Sequence, residues 1–448
     1  MSQAQSPELD PKALEAVVAQ VLEEARRAGA TAAEAAASRD SGLSVNVRLG
    51  EVETLEYHRD QGVAVTVYMG QCKGAASTSD LRPESLREAA RAACRIARFT
   101  TEDPCAGLAD AHLMAQDWPD LDLDHPWGVS ADEAIARARV CEAAARERDA
   151  RIVNSEGASL DSFRGASVYG NTHGFLGGYV TTRHGLSCSV LASEGSGGMQ
   201  RDHWYTVARR AEDLEDAAAV GVRAADRALR RLGGRRLSTR RCPVVYAPDV
   251  ARSVIGHFLG AIRGGALYRK ASFLLDHLGR PVFPDFVHIH EQPHLPRALG
   301  SAPFDHEGVA THPRDLVSDG HLSGYLLDSY SARRLGMETT GNAGGVHNVT
   351  IDAGEQDLEG LLREMDTGLL VTELIGHGVN AVTGDYSRGA AGFWVEGGEI
   401  RHPVEEITVA GNLRDMFMNL QAVGRDVDRR GNIRTGSLLI DGLTVAGE

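Results

Sequence analysis

The sequence predicts an α+β protein, with two N-terminal helix, antiparallel hairpin, helix units followed by a β-rich antiparallel C-terminal domain. Three observations carry this expectation. Apolar residues recur at helical spacing at the start and end of each of the first two units, and runs of period two lie between them. Beyond Cys242 the texture changes to short strands separated by glycines. The order of elements, rather than identical residues, repeats between the first two units. The expected divisions are an N-terminal α/β unit at 1–115, a central α/β unit at 129–235 and a β-rich domain at 242–448.

Asp10 and Pro11 form a helix start, and Leu14, Val17, Val18, Val21, Leu22 and Ala25 follow at helical spacing until Gly29. Leu43, Val45, Val47 and Leu49 alternate, Gly50-Glu51 turns the chain, and Val63, Val65, Val67 and Met69 alternate again before an Ala-rich helix over 83–98. An acidic, proline-bearing connection, DWPDLDLDHPWG (117–128), leads to Ser130 and Glu133, a capping box on a second Ala-rich helix. Gly-rich β segments are expected over 152–209, a helix over 212–232 and a linker at GGRRLSTRR (233–241). The last domain is expected to carry helical patches near 248–263, 357–365 and 412–419, and a tight hairpin at Gly397-Gly398.

With 448 residues and 42% hydrophobic content, the chain can bury two or three cores. A net charge of -15 repels phosphate backbones, and the basic run at 230–241 is short, so nucleic acid is a poor partner. No stretch approaches the roughly 18 apolar residues of a membrane span, and the N-terminus lacks a leader pattern, so no membrane association is expected. Six cysteines without a C-x-x-C pair suit free thiols in a reducing, cytoplasmic compartment.

HIHEQPH (288–294) contains the string H-E-x-x-H. That motif needs a helix to bring both histidines to one ion. Pro293 stands between His290 and His294 and costs about 3 kcal/mol in a helix interior, and Gln292 before it is pushed toward extended backbone. His288, His290, Glu291 and His294 are therefore set aside as a zinc-peptidase site. Phe286, His288 and His290 alternate as a strand face does, which leaves open a cation shared by His288 and His290. GNAGGVHN (341–348) lacks the lysine and helix of a phosphate loop and reads as a turn, and no G-x-S-x-G elbow is present.

Three stretches of the terminal half carry a family likeness: HFLGAIRGGALYRKASFLLDHLG (257–279), SAPFDHEGVAT (301–311) and LLVTELIGHGVNAVTGDYSRGAAGFWVEGGEI (369–400). With the N-terminal units they resemble the TldD/PmbA family, in its PmbA (TldE) branch. The resemblance implies a cytoplasmic bacterial protease of two related chains, TldD and TldE, which form a heterodimer that processes unfolded peptides in microcin maturation and antitoxin degradation. It also implies zinc on the TldD chain, held by an H-E-x-x-x-H helix and a late cysteine. Here the corresponding helix segment reads Gly256-His257-Phe258-Leu259-Gly260-Ala261, with His257 alone in the glutamate's place. No cysteine follows Cys242, and the late stretch reads DVDRRGNIRTG (426–436). The expectation is a TldE-like subunit with no cofactor and no catalytic residue of its own, whose zinc lies in a TldD-like paralogous partner.

Arg269, Lys270, Asp385, Tyr386, Ser387 and Arg388 are the densest polar groups in these stretches. They are candidates for contact with substrate or partner, or else solvated loops. Asp305 and Glu307 read as a carboxylate pair or as a turn before Gly308. Two other functions remain: an autonomous metallopeptidase with a non-helical His288, His290, His294 site and Glu291 as base, and a peptide-binding protein that captures extended chains by strand addition. In isolation a homodimer is possible through a pseudo-symmetric surface.

Overall fold

The computed structural model describes residues 9–195 and 198–447. The chain runs through Pro11–Arg27 (α1), Ala32–Arg48 (β1), Glu51–Met69 (β2), Cys72–Thr78 (β3), Pro83–Ala97 (α2), Ala131–Arg146 (α3), Ile152–Asn171 (β4), Leu176–Ser193 (β5), Met199–Ala208 (β6) and Ala217–Arg230 (α4). The Asp10 carboxylate accepts from Lys12 N at the start of α1, and the Ser130–Glu133 capping box opens α3. The helix expected from 212 begins instead at Ala217, where Asp216 caps it, because Ala211–Asp213 forms a separate 3₁₀ turn.

The two repeats are fused through their strands. β1 pairs with β4 along almost its whole length, giving one antiparallel sheet of order β3-β2-β1-β4-β5-β6. Ala33, Ala35 and Ala37 pack under α1 and α2, while Leu43, Val45 and Val47 of the same strand pack under α3 and α4. These positions share one parity, so both helix pairs cover the same sheet face. The hairpin turn of the first unit is held by the second: buried Glu142 of α3 accepts from Leu49 N at 2.7 Å and Gly50 N at 2.8 Å. Both turn residues have positive φ, which glycine adopts freely and leucine does not.

The terminal part contains Arg240–Tyr246 (β7), Pro248–Ala261 (α5), Gly264–Tyr268 (α6), Ile289–Glu291 (β8), Arg314–Ser318 (β9), His321–Leu322 (β10), Ser329–Leu335 (α7), Val349–Ile351 (β11), Leu358–Met365 (α8), Gly368–Ile375 (β12), Asp385–Glu396 (β13), Glu399–Asn412 (β14), Leu413–Met418 (α9), Leu420–Val423 (β15), Ile433–Arg434 (β16) and Leu438–Ala446 (β17). One sheet has the order β14-β13-β12-β7-β17-β15, and a further β14–β17 pairing closes it on itself. A smaller sheet has the order β10-β9-β8-β11-β16. Most pairings are antiparallel; β7–β12 and β11–β16 are parallel. One face of the larger sheet packs on α5 and the smaller sheet, and the other packs on α8. The Gly397-Gly398 turn joins β13 to β14 as expected.

Candidate functional site

α5 starts at Pro248, with Asp249 in its first turn, and buries Ala251, Val254, Ile255, Phe258 and Leu259. Ser253 and His257 lie one turn apart, so their side chains share a face. That face meets β13, whose alternation sends Tyr386 and Arg388 to the same side. The Arg388 guanidinium donates through Nη1 to Ser253 Oγ at 3.0 Å, and the His257 and Tyr386 rings meet edge to face at 6.0 Å. Tyr246, the last residue of β7, completes the cluster and is fully buried.

Burial, then the charge of Arg388, depresses the His257 imidazole below its ordinary value, so it is neutral near pH 7. Burial raises both phenols, Tyr246 well above the ordinary value. The two hydroxyls influence one another's acidity without completing a hydrogen bond of ordinary geometry. Tyr246 Oη, Tyr386 Oη, His257 Nε2 and Arg388 Nε are all buried without a protein partner. This is a donor-rich cluster with one imidazole, no carboxylate and a guanidinium. It does not fit a catalytic zinc, which needs three ligands of His, Cys or carboxylate type, and the guanidinium repels a divalent cation.

The six residues singled out from the sequence separate into three settings. Tyr386 and Arg388 face α5, whereas Asp385 and Ser387 point the other way and are exposed; Asp385 accepts from Thr383 Oγ1 at 2.6 Å. Arg269 and Lys270 end α6 in solvent, with Arg269 over the Tyr268 ring at 5.4 Å. Sequence reasoning missed Tyr246 and Ser253. The spacing of Ser253 and His257 is the signal that could have found the second of these.

The residues of 288–294 also separate. Glu291 turns inward, where it pairs with Arg314 at 3.1 Å and accepts from Asn342 Nδ2 and His347 N. His294 bonds to Thr311 Oγ1 at 3.0 Å. The arrangement of three histidines with Glu291 as base is therefore not assembled. His288 and His290 do share a side, together with Asp352.

The 426–436 stretch bolts the central unit to the terminal domain. Arg430 stacks on Trp204 at 3.8 Å and Tyr205 at 4.4 Å and pairs with Asp428 at 2.9 Å. Arg252 of α5 donates to Tyr205 Oη at 2.8 Å.

A cleft of about 860 Å³ opens on the sheet face that α1 to α4 leave bare. Its floor combines small residues, including Ser38, Ala64 and Ser167, with Tyr169 and Tyr179, and its wall is Phe304, Asp305 and His306. Asp305 accepts from Glu307 N, Val309 N and Ala343 N, so it braces its own turn and the 341–345 turn. Burial and then Glu307 push its carboxyl up to about 7, against those three amides. Burial also raises Glu307, which accepts from Ser329 N at 2.9 Å. Nearby, Glu34 accepts from Tyr68 Oη and Tyr169 Oη.

Three family models match in succession: PmbA/TldA metallopeptidase domain 1 at 33–97, the central domain at 124–232 and the C-terminal domain at 239–447. Metalloprotease PmbA of Escherichia coli O157:H7 is 51% identical over 441 residues, 98% of each chain. A metalloprotease TldD homologue of Haemophilus influenzae is 24% identical over 410 residues, 84% of this chain and 81% of its own. The crystal structure of a candidate modulator of DNA gyrase from Bacteroides thetaiotaomicron matches with a TM-score of 0.92 at 27% identity, over 97% of this chain and 99% of that one. TldE from Thermococcus kodakarensis shares the fold, with a TM-score of 0.84 at 20% identity over 96% of this chain and 99% of its own. The three models in order and the near full-length identity place this chain in the PmbA/TldD metallopeptidase family.

Proposed function

We propose that this chain is the TldE-like subunit of a cytoplasmic TldD/TldE-type metallopeptidase, and that the catalytic zinc and its ligands belong to a TldD-like partner. The observation that carries this reading is the α5 cluster. Where the resemblance places two zinc-binding histidines and the glutamate base, this helix carries Gly256, Ala261 and His257, and the Arg388 guanidinium bonded to Ser253 lies on the face of His257. A cationic side chain there disfavours an ion.

Peptide handling is the role that remains. The cleft on the bare sheet face combines small side chains with the Tyr169 and Tyr179 rings, a lining that suits an extended unfolded peptide. The partner surface we favour is the outer half of β2. Among the described residues, that strand pairs over 51–61 with β1 alone, and it leaves Val52, Leu55 and Tyr57 exposed beside an edge that no described strand covers. Microcin maturation and antitoxin degradation are the processes such a complex would serve.

The test is reconstitution. The purified chain alone is expected to cleave no unfolded peptide, and mixing with a TldD-type chain is expected to produce both a 1:1 complex and cleavage. Cleavage by the isolated chain would sink the reading.

A further inference from the structure

We propose that His288, His290 and Asp352, with Asp315 beside them, form a divalent transition-metal site on the smaller terminal sheet, apart from the α5 cluster and without a catalytic role. The inference does not depend on the subunit reading above.

Neighbouring strands deliver all four side chains to one place. His288 and His290 are two residues apart at β8, so they lie on one face, with ring centroids 5.8 Å apart. Asp352 follows β11, the neighbour of β8, and its amide donates to the His288 carbonyl at 3.0 Å. That bond holds its carboxylate over the histidines, with Oδ1 3.3 Å from His290 Nδ1. From the other side, Asp315 of β9 is the register partner of His290, and its Oδ1 lies 3.0 Å from His288 Nε2. One donor atom each from His288, His290 and Asp352 lies within 4.8 Å of the others. A tetrahedral zinc with bonds of about 2.0–2.1 Å needs donors about 3.4 Å apart, a change that side-chain rotation alone can make.

Charge favours the ion as well. Two neutral imidazoles and two carboxylates carry a net charge of −2, which a divalent cation neutralises. Two guanidiniums stand in this register: Arg314 is engaged on the other face with Glu291, and Arg434 of β16, the register partner of Thr350, lies on the ligand face with the whole of β11 between it and His290. Mixed imidazole and carboxylate donors select Zn²⁺, Co²⁺, Ni²⁺ or Cu²⁺ over Mg²⁺ and Ca²⁺. Asp315 would be a fourth donor or the partner that orients His288. With Glu291 buried in its own ion pair, no carboxylate base from this motif faces a metal-bound water. The site would therefore clip the exit of β11 to β8.

The experiment is titration of the metal-free full-length chain with Co²⁺, followed by Zn²⁺. One equivalent of Co²⁺ with a nitrogen- and oxygen-ligated visible spectrum is expected, displaced by Zn²⁺. His290→Ala should remove that equivalent, Asp315→Asn should weaken it about 10- to 100-fold, and His294→Ala should leave it intact. In wild type, Zn²⁺ should shift the ring resonances of His288 and His290 but not those of His294, a readout that needs no variant to fold. No bound ion, unmoved His288 and His290 resonances, or an unchanged equivalent in His290→Ala would overturn the site. Peptide cleavage by the zinc-loaded isolated chain that is lost in His290→Ala would overturn its non-catalytic character.

Discussion

Replacing Arg430 by alanine should separate the central unit from the terminal domain. The Arg430 and Asp428 side chains are only 14% and 6% exposed, and their ion pair spans 2.9 Å. The guanidinium also donates to the Tyr205 carbonyl at 3.0 Å and covers Trp204. Truncation leaves Asp428 buried without its cation, a loss of about 3–5 kcal/mol, within which the aromatic contacts account for about 0.5–2 kcal/mol. Asp428→Asn added to Arg430→Ala removes the stranded charge and should recover a large part of the loss. The assay is guanidinium denaturation followed by tryptophan fluorescence, with limited proteolysis of the 233–239 linker as a second measure. Arg430→Ala within about 0.5 kcal/mol of wild type, the range of ordinary surface substitutions, would refute the claim that this loop is an interdomain bolt.

Arg388→Met should raise the His257 pKa while burial keeps it below the ordinary value, a change visible in imidazole NMR titration. The folded-state pKa of Asp305 is raised from 3.8 to about 7, so its contribution to stability is fully present below pH 3.8 and lost as pH rises through about 7. Asp305→Asn should flatten that part of the stability profile in urea titrations at several pH values. Gly221→Ala would place a methyl 1.9 Å from the Cys141 carbonyl oxygen where α4 crosses α3, and it should cost about 1–3 kcal/mol in thermal unfolding. Tyr57→Lys on the exposed edge of β2 should weaken association with a TldD-type chain, measured by sedimentation, without lowering the melting temperature of this chain alone.

The elements with strong local signals are legible in the sequence. Asp10-Pro11, the Ser130–Glu133 box and Gly397-Gly398 each act within a few residues, and each does in the structure what its chemistry dictates. The fusion of the two repeats is not legible, because β1 and β4 pair across more than a hundred residues and their local alternation suits either an inner or an edge strand. The site divides in the same way. Pro293 is enough to reject a helical H-E-x-x-H, yet nothing local says that Asp352 and Asp315 will arrive beside His288 and His290. Grouping Asp385 through Arg388 as one patch overlooks the period of two, which the strand obeys by sending Tyr386 and Arg388 inward.

The central claim is that hydrolysis requires a companion chain. Its most direct test is the rate of unfolded-peptide cleavage by this chain at high purity, alone and after titration with a TldD-type chain, with Zn²⁺ present throughout. The account predicts no turnover alone and activity that saturates at one partner per chain; turnover by the isolated chain, undiminished on further purification, would contradict it.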